Sequence, residues 1–154
     1  PFTHGEREAV IVPATLFLCT IYGRSAAPAV LALYDRVAGG IFNGTHKNSK
    51  ASRLHNSLRA MVVHPQYADH HATRRLVSWL ADRQTRQGHW GQGIPFYQAL
   101  NALAHLDTTG ANRQTEKAFD YLLAIQNADG SWAASERQWC TFLAVHALRS
   151  KGRV

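Results

Sequence analysis

Apolar residues in the second half of the chain recur at helical spacing, in blocks separated by short polar stretches that contain glycine. From Ala72 to Thr85 the apolar positions are Leu76, Val77 and Leu80; from Arg113 to Gln126 they are Phe119, Tyr121, Leu122 and Leu123. This spacing predicts outer helices that bury one face. Two further blocks, Pro95 to Leu106 and Glu136 to Arg149, carry Tyr97, Ala99, Leu100, Ala102 and Leu103, and Trp139, Phe142, Leu143, Val145 and Leu148. They are apolar around most of their circumference, which predicts an inner layer. Gly88 and Gly130 stop the outer helices. Pro95 opens one inner helix, and Ser135 is the expected N-cap of the other, with Glu136 behind it.

The blocks repeat. Lys117-Ala118-Phe119-Asp120-Tyr121-Leu122 lies 42 positions after Arg75-Leu76-Val77-Ser78-Trp79-Leu80, and the offset then holds without a gap. Gln84 falls on Gln126, Gly88 on Gly130, Trp90 on Trp132, Tyr97 on Trp139, Leu100 on Phe142 and Leu106 on Leu148. A period in this range means that each unit is one helical hairpin stacked on its neighbours. A decayed copy is read upstream: Ala26 to Val37 as an outer helix, Gly40-Ile41-Phe42 in place of the later Gly-x-Trp, a longer polar loop Asn43 to Lys50, and Ala51 to Val63 as an inner helix. Glu6 to Tyr22 reads as one more inner helix, kinked at Pro13. The expectation is an all-α chain of about seven helices and three and a half hairpins in a single domain over 1–154, with degenerate hairpins in 1–66 and two clear repeats in 67–110 and 111–154.

Composition narrows the function. With 154 residues, 45% apolar and 18% charged, the chain is globular and of one-domain size. Its net charge of +7 comes from 17 Lys and Arg against 10 Asp and Glu, and thirteen of the cations are Arg, which suits an anionic partner. The arginines are scattered and no nucleic-acid motif accompanies them, so no nucleic-acid partner is expected. Cys19 and Cys140 lie far apart in apolar surroundings and read as buried thiols, consistent with a reducing, cytoplasmic setting. The apolar run Ala9 to Tyr22 is shorter than the ~20 residues that a bilayer span needs. A chain that opens on Pro reads as processed or as part of something longer.

Gln84-Thr85-Arg86-Gln87-Gly88-His89-Trp90 and Gln126-Asn127-Ala128-Asp129-Gly130-Ser131-Trp132 both resemble the QW motif, Q-x(2–5)-G-x-W. That motif marks the terpenoid cyclase family: squalene-hopene and oxidosqualene cyclases and class II diterpene cyclases. Protein prenyltransferase β subunits share its barrel. The resemblance is strong from about residue 70 to 150. In each copy Gly permits the tight exit from the outer helix, Gln can bond free backbone groups at the start of the next inner helix, and Trp covers the junction. Gln84, Gly88, Trp90, Gln126, Gly130 and Trp132 are therefore structural. The fold the resemblance implies is an α/α barrel (toroid) of six hairpins, of which this chain supplies part. The remainder of the same protein or a second subunit completes the ring, or the stack stays open with an exposed concave face.

The resemblance also implies chemistry. A class II cyclase protonates an alkene with an Asp of a DxDD motif, and neither DxDD nor an acidic Mg²⁺ motif occurs in this sequence. No catalytic residue is identified. What the segment can supply is a lining for a carbocation, which aromatic faces stabilise. Phe96, Tyr97, Trp139 and Phe142, near the starts of the inner helices, are the candidates; packing as barrel core is the competing role. In the prenyltransferase branch a zinc ion takes an Asp, a Cys and a His. Cys140 has Gln138 where that Asp belongs, and no His is well placed, so zinc and other metal ligands are not expected. Mg²⁺ would enter only through a diphosphate substrate. His64, His70 and His71 read as solvated, His105 and His146 as satisfied core groups, and Glu116 with Asp120 as a surface pair near Lys117.

The leading function is thus part of a terpene cyclase acting on an isoprenoid diphosphate or polyprene, with the initiating acid outside this segment. The Arg-rich surface would suit the diphosphate or a peripheral contact with an anionic membrane. A non-catalytic helical scaffold or prenyl-binding domain is the alternative, and a prenyltransferase β-like subunit the third.

Overall fold

The structure is a computed structural model that describes residues 7–42, 51–91 and 93–154, apart from the side chains of Arg7, Glu8 and Phe42. The polar loop Asn43 to Lys50 and residue Glu6 lie outside the described residues. Seven α-helices and no strand are present among the described residues: α1 Arg7–Ile21, α2 Pro28–Phe42, α3 Ala51–Met61, α4 His71–Ala81, α5 Phe96–Ala104, α6 Thr109–Ala124 and α7 Arg137–Ser150. The protein is all-α. The chain divides into two compact units, one through Trp79 and one from Leu80. No helix of the described residues is long and apolar enough to cross a membrane.

In the first unit α1 packs chiefly on α3, and α2 touches both. Tyr34 of α2 ties the three together: it is fully buried, its hydroxyl donates to the Ala60 carbonyl (2.9 Å), and Thr20 of α1 lies 2.9 Å from the same oxygen. Leu16, Leu54, Leu58 and Met61 fill the space around it. α1 runs through Pro13, as the sequence reading has it. One boundary departs from that reading: α2 continues through Gly39 and Gly40 to Phe42 instead of turning at Gly40. Burial of Ala38 and Ile41 on one side of α2 outweighs the ~1 kcal/mol that a helical glycine costs.

In the second unit α5 packs against both α6 and α7. Gln98, Ala99, Leu100, Ala102, Leu103 and Ala104 are buried on α5. α6 begins four residues before the expected Arg113, because the Thr108 side chain accepts from the Ala111 amide (3.3 Å) and caps it. α7 begins without the expected Ser135 cap: Glu136 precedes it in the left-handed region, φ 50°, with no side-chain capping bond. α7 also buries only one face (Cys140, Leu143, Ala144, Ala147, Leu148), while Phe142 and Val145 are exposed. At its end the Lys151 ammonium donates to the Leu106 carbonyl (2.6 Å) and to Asn112 Oδ1 (2.7 Å), fixing α7 to the α5–α6 connection.

Candidate functional site

The two Gln–Gly–Trp loops have the same internal bonding. After α4, the Thr85 amide donates to the His89 carbonyl (2.8 Å), the Gly88 amide to Thr85 (3.1 Å), and the Gln84 Nε2 to the Gly88 carbonyl (2.9 Å). Forty-two positions on, Asn127 donates to Ser131 (2.9 Å), Gly130 to Asn127 (2.9 Å), and Gln126 Nε2 to the Gly130 carbonyl (2.8 Å). Each Gln thus closes its own loop rather than reaching the start of the next inner helix. Closing the loop also shortens the helix before it. α4 ends at Ala81, not Thr85, with Arg83 and Gln84 making three-residue bonds back to Leu80 and Ala81, and Gln84 pairs with Trp90 in an antiparallel bridge.

Both tryptophans are buried under these loops. The Trp132 indole donates to the Leu122 carbonyl at the end of α6 (2.8 Å); the buried Trp90 Nε1 has no partner. The loops differ in what lies outside them. The same Gln84 Nε2 also donates to the Gln114 carbonyl of α6 (2.8 Å), and Gly88 abuts the α6 backbone at Lys117. Gln126 and Gly130 are exposed.

The four candidate lining residues fall into two groups. Phe96 and Tyr97, in the first turn of α5, are half-buried and meet edge to face (5.2 Å); Phe96 also reaches Trp90 (5.9 Å) and Tyr121 of α6 (5.0 Å). Trp139 and Phe142 of α7 stack at 5.5 Å, and Phe142 continues to His146 (5.9 Å). Trp139 is half-buried, but Phe142 is 55% exposed and forms no part of a closed core here. Tyr97 and Cys140 link α5 to α7. Burial pushes the Tyr97 phenol above its usual range, Cys140 and Tyr121 add to this, and a hydrogen bond with the Ala133 backbone partly offsets it. The Cys140 thiol is raised by burial and then by Glu136, so it stays protonated and inert at neutral pH. Both cysteines are free, Cys140 buried and Cys19 half-buried. Among the described residues no group of three His, Cys, Asp or Glu side chains is placed to hold a metal.

Several histidines sit elsewhere than the sequence reading put them. His64 is buried, not solvated: its Nε2 lies 3.3 Å from the Ser25 carbonyl, its Nδ1 accepts from the Gln66 amide (3.1 Å), and its ring packs on Tyr34 (4.5 Å) and Tyr67 (4.9 Å). The aromatic pocket made by Tyr34 and Tyr67 gives an apolar imidazole face more than water does. His105 is exposed rather than core; His146 is half-buried with Nδ1 3.0 Å from Asn101 Nδ2. Glu116 and Asp120 lie on the surface, as expected, and Glu116 pairs with Arg153.

Two features of the first unit escaped the sequence reading. A cavity of about 370 Å³ lies between α1, α2 and α3, walled by Val12, Pro13, Val37 and Ile41 with Arg36 and Arg53 on its lining. On α3, His55, Asn56 and Arg59 are all buried. Their signal is faint because His55 and Arg59 are four apart, the spacing of an ordinary polar helix face.

Compared with known proteins, the chain is 29% identical over 140 residues to labda-7,13-dienyl diphosphate synthase of Streptomyces clavuligerus, a terpene cyclase. The match covers 82% of this chain and 25% of that protein, so the chain spans about a quarter of the length of the curated relative. No protein-family model matches the chain, and no solved structure matches it. The relation to terpene cyclases is therefore a coarse one.

Proposed function

We propose that this chain is part of a class II terpene cyclase that cyclises an isoprenoid diphosphate or polyprene by carbocation chemistry, the initiating acid lying in polypeptide outside these residues. The observation that carries the reading is the match to labda-7,13-dienyl diphosphate synthase across most of the chain. The paired Gln–Gly–Trp loops, with the same bonds 42 positions apart, support it. In this reading Phe96, Tyr97, Trp139 and Phe142 offer ring faces to a cationic intermediate, each such contact worth ~0.5–2 kcal/mol according to how dry the site is. Aromatic and aliphatic surroundings also keep water from quenching the cation. The segment needs no metal of its own; Mg²⁺ enters with the substrate's diphosphate.

Further polypeptide, from the same protein or a second subunit, covers the side of the second loop that is now open. The first loop supports this, since α6 lies on its Gln84 and Gly88, whereas Gln126, Gly130 and Leu123 of the second are exposed.

The test is an incubation of the longer protein that contains this segment and the initiating acid with farnesyl diphosphate, geranylgeranyl diphosphate or squalene and Mg²⁺, with phosphatase treatment of the diphosphate products and mass spectrometry. A cyclised alcohol or hydrocarbon is expected. A folded, intact protein that binds these substrates but turns none over would leave a prenyl-binding scaffold in place of an enzyme.

A further inference from the structure

Helix α3 is buried from Leu54 to Met61, and its polar side chains are only partly satisfied. Asn56 Nδ2 donates to the Ala9 carbonyl of α1 (3.1 Å), and Asn56 Oδ1 accepts from Arg59 Nη1 (3.3 Å). Arg59, 4% exposed, has no partner for its Nε or Nη2, and neither does the buried Nδ1 of His55. Nε and Nη2 are not two random orphans. They form one edge of the guanidinium, the edge that grips a carboxylate or phosphate with two parallel bonds.

We propose that Arg59, with His55 one helical turn before it, is the receiving side of an oxyanion site within the first unit, taking a carboxylate or phosphate oxygen pair on its Nε–Nη2 edge. A guanidinium withdrawn from water needs a counter-charge as well as acceptors, and a water molecule would bring only the latter. Burial lowers the Arg59 guanidinium to about 9, still charged at neutral pH. His55 is lowered to about 3 by burial and then by the charge of Arg59, so it is a neutral imidazole able to donate from Nδ1 to the same anion. The oxyanion is a free ligand that carries a carboxylate or phosphate group. The inference stands apart from the cyclase reading and is tested without an activity assay.

The experiment titrates inorganic phosphate, diphosphate and acetate, at constant ionic strength, into the intact protein and into its Arg59→Met and Arg59→Lys variants. Thermal midpoints are read, together with the Nε–H resonance of Arg59. For a free-ligand site, one of these anions raises the wild-type midpoint by about 4 °C at ten times its Kd. Neither variant responds, since Met lacks the charge and Lys lacks the two-pronged edge. Two results would overturn it: equal stabilisation of wild type and variants, which is an adventitious ion only, or no response of the wild-type midpoint and of the Arg59 Nε–H resonance to any of the three anions.

Discussion

Gly88 and Gly130 occupy the same place in two loops, yet a methyl group would meet different surroundings at each. At Gly88 (φ +97°) a Cβ would lie 2.0 Å from the Lys117 carbonyl oxygen and 2.7 Å from its carbon, so α6 itself must move. At Gly130 (φ +81°) the nearest contact is Gln126 Nε2 at 3.9 Å. Gly130→Ala should therefore cost only the left-handed strain, about 1–2 kcal/mol, and Gly88→Ala about 3 kcal/mol or more, a clash with backbone added to the same strain. Urea denaturation midpoints of the two variants check the ordering, and equal losses would contradict it. Ala133 holds φ 67° without glycine's freedom; Ala133→Gly should gain about 0.5–1 kcal/mol, strain relief less the added freedom of the unfolded chain. A further residue-scale expectation concerns Tyr67, whose hydroxyl donates to the Asp35 carboxylate. Burial first and that bond second raise its phenol from 10 to about 12. A raised pKa means that the folded state holds the proton more tightly, so the stabilisation is whole below pH 10 and disappears between pH 10 and 12, at up to about 1.4 kcal/mol per pH unit. Tyr67→Phe should flatten that alkaline limb relative to wild type; parallel limbs would show that another group governs it.

Between elements, the asymmetry of the two loops becomes one of bonding. Gln84 joins its loop to the Gln114 carbonyl of α6, and Gln126 bonds only within its own loop. Gln84→Ala should cost about 1–2 kcal/mol, because it removes two part-buried hydrogen bonds. Gln126→Ala at an exposed site should cost about 0.5 kcal/mol or less. Hydrogen exchange across α6 would register the first and not the second. What the sequence made legible follows the same division. Helices whose apolar spacing and stop signals agree, such as α5 behind Pro95 and the glycine-ended turns, lie where the pattern puts them to within a few residues. Where a local signal competes with burial, the pattern misleads. Gly39 and Gly40 read as a stop but ride inside α2, the Thr108 cap starts α6 four residues before Arg113, and Ser135 read as a cap that Glu136 displaces. The candidate lining was legible as to helix and turn but not as to exposure, because whether Phe142 is covered depends on what packs against α7. His55 and Arg59 were illegible for a related reason: burial of a polar helix face is decided by neighbouring helices.

For the whole molecule, the question is what meets the open side of the second unit. Leu123 (58%) of α6 and Phe142 (55%) and Val145 (37%) of α7 are exposed, as are Gln126 and Gly130 of the second loop, whereas α6 lies on the first loop. The relative of this chain is about three and a half times its length, which leaves room for further helices. If polypeptide beyond these residues packs on the second loop as α6 packs on the first, Gly130 acquires a close backbone neighbour and Gln126 a second acceptor. The prediction is a change of cost with context. In the 154-residue chain Gly130→Ala should lose about 1–2 kcal/mol, and in a protein that includes the covering polypeptide it should approach the loss of Gly88→Ala. Phe142→Ser should behave likewise, near neutral in the short chain and costly when the ring is buried, since a covered phenylalanine is worth about 3 kcal/mol or more. Denaturation of both variants in both lengths of chain decides the matter. Losses that do not change with length would mean that the second loop faces water, and the aromatic side chains of α7 would then have to act at an open surface, where a carbocation cannot be kept from water.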